Sequence, residues 1–263
     1  MVTPRLWILG EQYETREAVR SFRRNDELDL VTYDDVIDAI RAFNLSLPGD
    51  GPWPTPLPAN FPRPVLRMPR DESPLSAPDF LEIEGRYFVS GHMREVMALP
   101  DWAVSYVPAV IESGSRRAHA RGYAMMYPLA LADAIDPEAS VCTVDTDKSA
   151  KTGNLVAFIA GFGQVRFKPG LKAPCDLFRN AVSSLLIFAT DDLAQRVLAE
   201  GCTGVQFEHP LWFRAHGNNV IRTVDGMRRI QWDAAGQSFE VLPISEAEAD
   251  ARPRIDERFE FQR

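Results

Sequence analysis

The chain of 263 residues holds only three cysteines, Cys142, Cys175 and Cys202, and four lysines, all between Lys148 and Lys172. An odd number of widely spaced cysteines argues against a disulfide framework and a zinc knuckle, and predicts buried free thiols in a reducing compartment. Apolar runs are short as well. None approaches the ~20 residues that a bilayer requires, and Leu6-Trp7-Ile8-Leu9 is too short for a signal-peptide core. Together these shortages predict a cytoplasmic protein that does not enter a membrane. Basic side chains are outnumbered, 29 against 37 acidic ones, which leaves a formal charge of −8. Nucleic-acid binding relies on Lys and Arg to neutralise phosphates, so no nucleic-acid partner is expected and a basic protein partner is favoured. The preference for Arg over Lys reads as genome composition rather than a binding device.

Proline is plentiful: 20 residues, ten of them between Pro48 and Pro78. Prolines at positions 52, 54, 56 and 58 forbid helix and remove sheet donors, so this stretch must be extended. A strap along the main body, a mobile loop and a ligand for a proline-recognising module all fit; the strap is preferred. The remaining composition, 45% apolar, suits a chain long enough to bury a sizeable core.

Periodicity sets out the elements. Leu6–Leu9 reads as a strand, Arg20–Asp29 as a charged loop and Asp34–Phe43 as a helix with Val36, Ile37, Ile40 and Phe43 on one face. Phe80–Ile83 and Arg86–Val89 flank Glu84-Gly85 as a hairpin, after which Ser90 caps a helix carrying Met93, Val96 and Met97. Val104–Ile111 and Tyr123–Leu131 are strand candidates, and Val141–Val144 pairs with Leu155–Ile159 across the loop Asp145–Asn154. Ser184–Thr190 is a buried strand leading into the helix Asp191–Glu200, closed by Gly201. Thr203–Phe207, Val220–Val224, Met227–Trp232 and Phe239–Leu242 complete a meander, and the last twenty residues are charged and frayed. Strands dominate over a few short helices, so the class is α+β with a largely antiparallel or mixed sheet.

Chemistry is sparse. Gly161-Phe162-Gly163 lacks the third glycine and following helix of a nucleotide loop, and reads as a β-bulge or turn. Ser113-Gly114-Ser115-Arg116-Arg117 could bind an anion but suits a solvated hairpin tip better. His209 and His216 have only Glu208 nearby, too few donors for a metal. No catalytic residue, metal ligand or cofactor is assigned.

The second half of the chain, read in order, has a recognisable series. Phe80-Leu81-x-x-x-Gly85-x-x-Phe88-Val89-Ser90 is followed by Asp136-x-x-x-Ser140 and Asp176-Leu177-Phe178-Arg179. Then come Ile187-Phe188-Ala189-Thr190-Asp191-Asp192-Leu193-Ala194 and Gly201-Cys202-Thr203-Gly204-Val205-Gln206-Phe207. In order and spacing this resembles immunity family eleven of bacterial polymorphic toxin systems, formerly a domain of unknown function, over Pro78 to Glu208.

That resemblance implies a protein made beside a toxin, which binds it so that the producing cell survives. Such a function needs no catalytic group. Asp136, Ser140, Asp176, Phe178, Arg179, Gly201, Thr203 and Gly204 are read as scaffold, with Gly201 at a helix C-cap and Gly204 in an unusual turn. Candidate toxin contacts are the Asp34/Asp35/Asp38 helix face and the loop carrying Asp145 and Asp147, which would steer a basic toxin. The alternatives are a hydrolase that reverses toxin damage, with Glu208, His209 and His216 as the residues to test, and an interaction domain without a toxin partner. The expected organisation is an accessory segment (1–47), a proline-rich strap (48–78), an α+β core (79–245) and a charged tail (246–263). The oligomeric state stays open.

Overall fold

The computed structural model describes residues 5–11, 29–47, 55–70, 77–149, 152–181, 186–212, 218–233 and 238–251. Residues 20–28, where a charged loop was expected, much of the proline-rich segment (48–54 and 71–76), His216 and residues 252–263 lie outside them. The chain divides into two units, each assembled from separate stretches: residues 1–9, 132–195 and 207–263 form one, and residues 10–131 and 196–206 the other.

The first unit is built on an eight-stranded sheet. Its strands are β1 (Leu6–Glu11), β9 (Leu131–Ala132), β12 (Leu177–Asn180), β13 (Ile187–Thr190), β14 (Val205–Glu208), β15 (Asn218–Thr223), β16 (Gly226–Asp233) and β17 (Ser238–Ile244). They lie in the order β17-β16-β15-β14-β1-β13-β12-β9. Leu6, Trp7, Ile8 and Leu9 are each at most 4% exposed, so β1 is covered on both faces, which is why it reads as an unbroken apolar run. Phe178, Phe188 and Ile8 stand in register across three strands, and the Phe178 and Phe188 rings lie 5.6 Å apart. Burying each such ring fully contributes about 2–3 kcal/mol.

A separate hairpin, β10 (Val141–Lys148) with β11 (Leu155–Gln164), belongs to the same unit. Strand β10 runs through Asp145 and Asp147, so the loop expected from Asp145 begins only after Lys148. The ladder continues because Asp145 and Asp147 each find a strand partner, Phe158 and Val156. Register shifts opposite Gly163 and Ala160 place a β-bulge at the Gly161-Phe162-Gly163 stretch.

The second unit holds two smaller sheets. Strands β4 (Phe80–Ile83), β5 (Arg86–Val89), β8 (Ala124–Pro128) and β6 (Val104–Pro108) form one, antiparallel throughout. Strands β2 (Asp29–Leu30), β3 (Val65–Arg67) and β7 (Val110–Ser113) form the other, with β3 and β7 parallel. The expected strand Val104–Ile111 is thus two strands in two sheets, broken after Pro108, which has no backbone N–H for a ladder. Pro128 ends β8 in the same way.

Helix α1 (Tyr33–Ser46) buries Val36 and Ile40 among Leu30, Leu66, Phe88 and Met125. The described part of the proline-rich segment adds Leu57, Phe61, Leu66 and Met68 to that core. Ser90 caps α2 (Gly91–Met97) by accepting from Met93 N at 3.0 Å. The stretch expected to be a hairpin tip is instead helix α3 (Arg116–Ala120), because Ser115 Oγ accepts from Ala118 N at 3.1 Å and starts a turn.

Helix α4 (Asp191–Ala199) follows β13 directly, capped by Thr190 Oγ1, and Gly201 closes its end at φ +68°. At the C-terminus, where fraying was expected, Glu246–Asp250 forms helix α5. Its Ser245 and Glu248 satisfy each other's backbone donors in a capping box, and its Ala249 is fully buried. Including these five, the described residues carry far more strand than helix, within an α+β class of antiparallel and mixed sheets.

Candidate functional site

The residues of the family-like series make two groups, one in each unit. In the second unit, four donors converge on Asp79, which is 2% exposed. Its Oδ1 accepts from Ser90 Oγ at 2.6 Å and Arg121 Nη1 at 2.7 Å. Its Oδ2 accepts from Thr203 N and Thr203 Oγ1, both at 3.0 Å. Thr203 O accepts in turn from the Asp79 and Phe80 amides. A buried carboxylate is tolerated only when its lone pairs are matched by donors, and here they are. Gly204 follows at φ +80°, and a Cβ there would collide with Phe80 O and come within 2.8 Å of Pro78 Cβ. Sequence reading picked out Thr203 and Gly204 but missed Asp79, Arg121 and the Tyr123 hydroxyl, which donates to Pro78 O. Cys202 beside this node is buried, and burial together with the Asp79 and Glu200 carboxylates pushes its thiol up to about 11. Cys142 and Cys175 are only partly buried, against the expectation of three buried thiols.

In the first unit, Asp136 Oδ1 accepts from the Glu138 and Ala139 amides at 3.1 Å, closing a turn. Ser140 Oγ then accepts from Arg166 N at 2.8 Å. The Asp136-x-x-x-Ser140 spacing is the span of that turn. Asp176 Oδ1 accepts from Thr190 Oγ1 at 3.0 Å, while Thr190 N donates to Asp176 O. Phe178 and Arg179 are both buried on β12.

The candidate toxin contacts face solvent. Asp34, Asp35 and Asp38 are exposed along α1, with Asp38 paired to Arg41 at 3.0 Å. Asp145 and Asp147 are exposed on β10, two residues apart and so on one face of the hairpin. These two acidic groups belong to different units.

Of the histidine pair, His216 lies outside the described residues. Glu208 and His209 are both buried. His209 Nδ1 accepts from Leu211 N and Nε2 lies 3.2 Å from Asp250 Oδ1, an arrangement for a neutral ring that donates from Nε2. Asp250 also receives Arg5 Nη2 at 2.7 Å, and the Trp7 ring meets the imidazole edge-on. Burial holds His209 below its ordinary value, with Arg5 acting in the same sense and Asp250 opposing. A second proton on Nδ1 would face the Leu211 N–H. Because the folded protein binds this proton less readily than the unfolded chain, stability is full above pH about 6.5 and falls as the pH drops below it. Urea denaturation between pH 7.5 and 5 is expected to show this loss, and His209→Gln to remove most of it; a variant as acid-sensitive as the parent would contradict the assignment.

Near α5, a surface cavity of about 270 Å³ is lined by Trp212, Arg229, Leu242, Pro243, Ile244, Glu248 and Ala251. Its Glu248 is already engaged by Ser245. Among the described residues, no group of three or more His, Cys, Asp or Glu side chains is placed to hold a metal ion, and no helix is long and apolar enough to cross a membrane.

Residues 16–210 match the model of an immunity protein family, Imm11. The match begins well ahead of Pro78 and so takes in the proline-rich segment that the motif series alone left out. No match to a curated protein is found. With well over half of its length matched, and with the motif series in the expected order, the chain belongs to the Imm11 immunity protein family.

Proposed function

We propose that this protein acts in the cytoplasm, binding one cognate toxin molecule and occluding it non-covalently so that the producing cell survives. Membership of the immunity family is the observation that carries this reading. The polar side chains of the family-like series are consistent with it, because those of Thr203, Asp136, Ser140 and Asp176 are spent on internal hydrogen bonds. Recognition then falls to surface groups held by helices and strands of the scaffold. The exposed acids on α1 and on β10 favour a basic toxin, whose approach they would accelerate. The residues 48–78 serve in this reading as a strap built into the body, consistent with the buried Leu57, Phe61, Leu66, Met68 and Ala77 that they supply.

Co-expression provides the test. The toxin-like domain encoded beside this chain's gene is expressed alone and together with this protein. Restored growth and a complex that co-purifies are expected. Undiminished killing, or no complex, would reject the proposal, and full rescue by a small fraction of one equivalent would point to a hydrolase instead.

A further inference from the structure

The three-stranded sheet of the second unit covers the core with one face only. Leu30 of β2 and Leu66 of β3 point inward and are at most 1% exposed. The opposite parity points outward. Val31 continues β2 and donates its N–H to Val65 O at 2.8 Å, and Val65 is in register with Val110 of β7. Three valines therefore stand side by side across neighbouring strands. Val31 is 40% exposed and Val110 44% exposed.

Beyond this row, on the next outward positions, Arg67 and Glu112 pair with each other at 3.3 Å, and Asp29 of β2 stands in register with Arg67. The other flank is different. Tyr33, 36% exposed, opens α1, and Asp34 and Asp35 follow it. Asp38 is paired with Arg41, whereas Asp34 and Asp35 have no ion pair among the described residues.

An apolar centre with an aromatic side chain and a polar rim is the anatomy of a protein–protein interface. A β-branched row left in water is otherwise a liability on a sheet. The charges beside it without an ion pair among the described residues are Asp34, Asp35 and Asp29 against the exposed Arg63, so the rim is acidic on balance. We infer that this outer face, Val31-Val65-Val110 with Tyr33 and the Asp34/Asp35 rim, is where the toxin docks. The occupant is an apolar contact on the toxin bordered by Lys or Arg. This inference rests on the toxin-binding reading above and selects one of its two acidic surfaces: α1 beside the valine row, and not the β10–β11 hairpin.

The experiment uses the full chain and, as probe, the neighbouring toxin domain inactivated at its own active site. Binding is measured by calorimetry for the parent, for Val31→Asp with Val110→Asp, for Asp34→Lys with Asp35→Lys, and for Asp145→Lys with Asp147→Lys. The valine double variant is expected to bind roughly 100-fold more weakly, as two valines lose their buried contact. The α1 charge variant is expected to bind about tenfold more weakly at low salt and to recover most of the difference at high salt. The hairpin variant should bind like the parent. Val31→Thr with Val110→Thr keeps the strand preference and shape while removing apolar surface. If the Asp variant does not fold, the Thr variant must still weaken binding severalfold.

Parent-like binding by the valine variants, or loss of binding confined to the hairpin variant, overturns the inference and leaves the immunity reading intact. If the parent itself does not bind the probe, the immunity reading fails, and this inference with it. Ultracentrifugation of the protein alone covers the remaining occupant: a dimer that Val31→Asp with Val110→Asp dissociates, with toxin binding unchanged, would assign the face to a second copy and overturn the inference too.

Discussion

Asp79→Ala is expected to destabilise the protein by roughly 3–5 kcal/mol, the range for breaking a buried ion pair by deleting one partner. Four hydrogen bonds end on this one carboxylate. Without it Arg121, whose side chain is one-quarter exposed, keeps some access to water. The Ser90 hydroxyl, fully buried, does not, and a buried unsatisfied donor adds about 1–3 kcal/mol. The conservative change is informative as well. Asp79→Asn turns an amide NH2 toward one of the two donor pairs, so it should recover little of the loss. Equilibrium denaturation of the parent and both variants measures this. A loss below about 1 kcal/mol for Asp79→Ala would mean that the node is not holding residues 196–206 to their unit.

Gly204→Ala is expected to be comparably severe, at roughly 3 kcal/mol or more, and for a different reason. Its φ of +80° already disfavours any side chain, by about 1–2 kcal/mol. The added methyl group would also strike Phe80 O, a backbone atom of the hairpin strand that cannot rotate away. Relief would require separating Thr203 from Asp79. Gly201 supplies the control. It has a similar φ of +68°, but a Cβ there meets nothing within 4 Å, so Gly201→Ala should show only the backbone cost. Unequal losses in the same denaturation assay are the expected result; equal ones would mean that the close approach at Gly204 relaxes at no cost.

Much of the local structure could be read from the sequence because its causes are local. The hairpin Phe80–Val89 has both turn residues at positive φ, Glu84 at +52° and Gly85 at +67°, which is what the Glu-Gly pair announces. The Ser90 cap and the Gly201 helix end follow from near neighbours in the same way. The exposed acids on α1 could also be placed, since helical spacing separates them from Val36 and Ile40.

What escaped was long-range. Asp79 looked like an ordinary acid before a strand; its partners lie 11, 42 and 124 residues away in the chain. The valine row draws Val65 and Val110 from two strands and Val31 from the end of a third, and has no periodicity in sequence. Likewise, nothing local reveals that Val104–Ile111 supplies two sheets or that β1 lies between β13 and β14. The short C-terminal helix was hidden by its charge, because Glu246 and Asp250 looked like solvated tail residues until Arg5 was brought to meet them.

The central claim is immunity by one-to-one occlusion, and the most direct test is a titration of toxin activity with purified protein. The account predicts a linear fall in activity that reaches zero at one equivalent, with a complex of matching stoichiometry recovered intact. Complete protection at a small fraction of an equivalent, or activity that persists at excess, would contradict it.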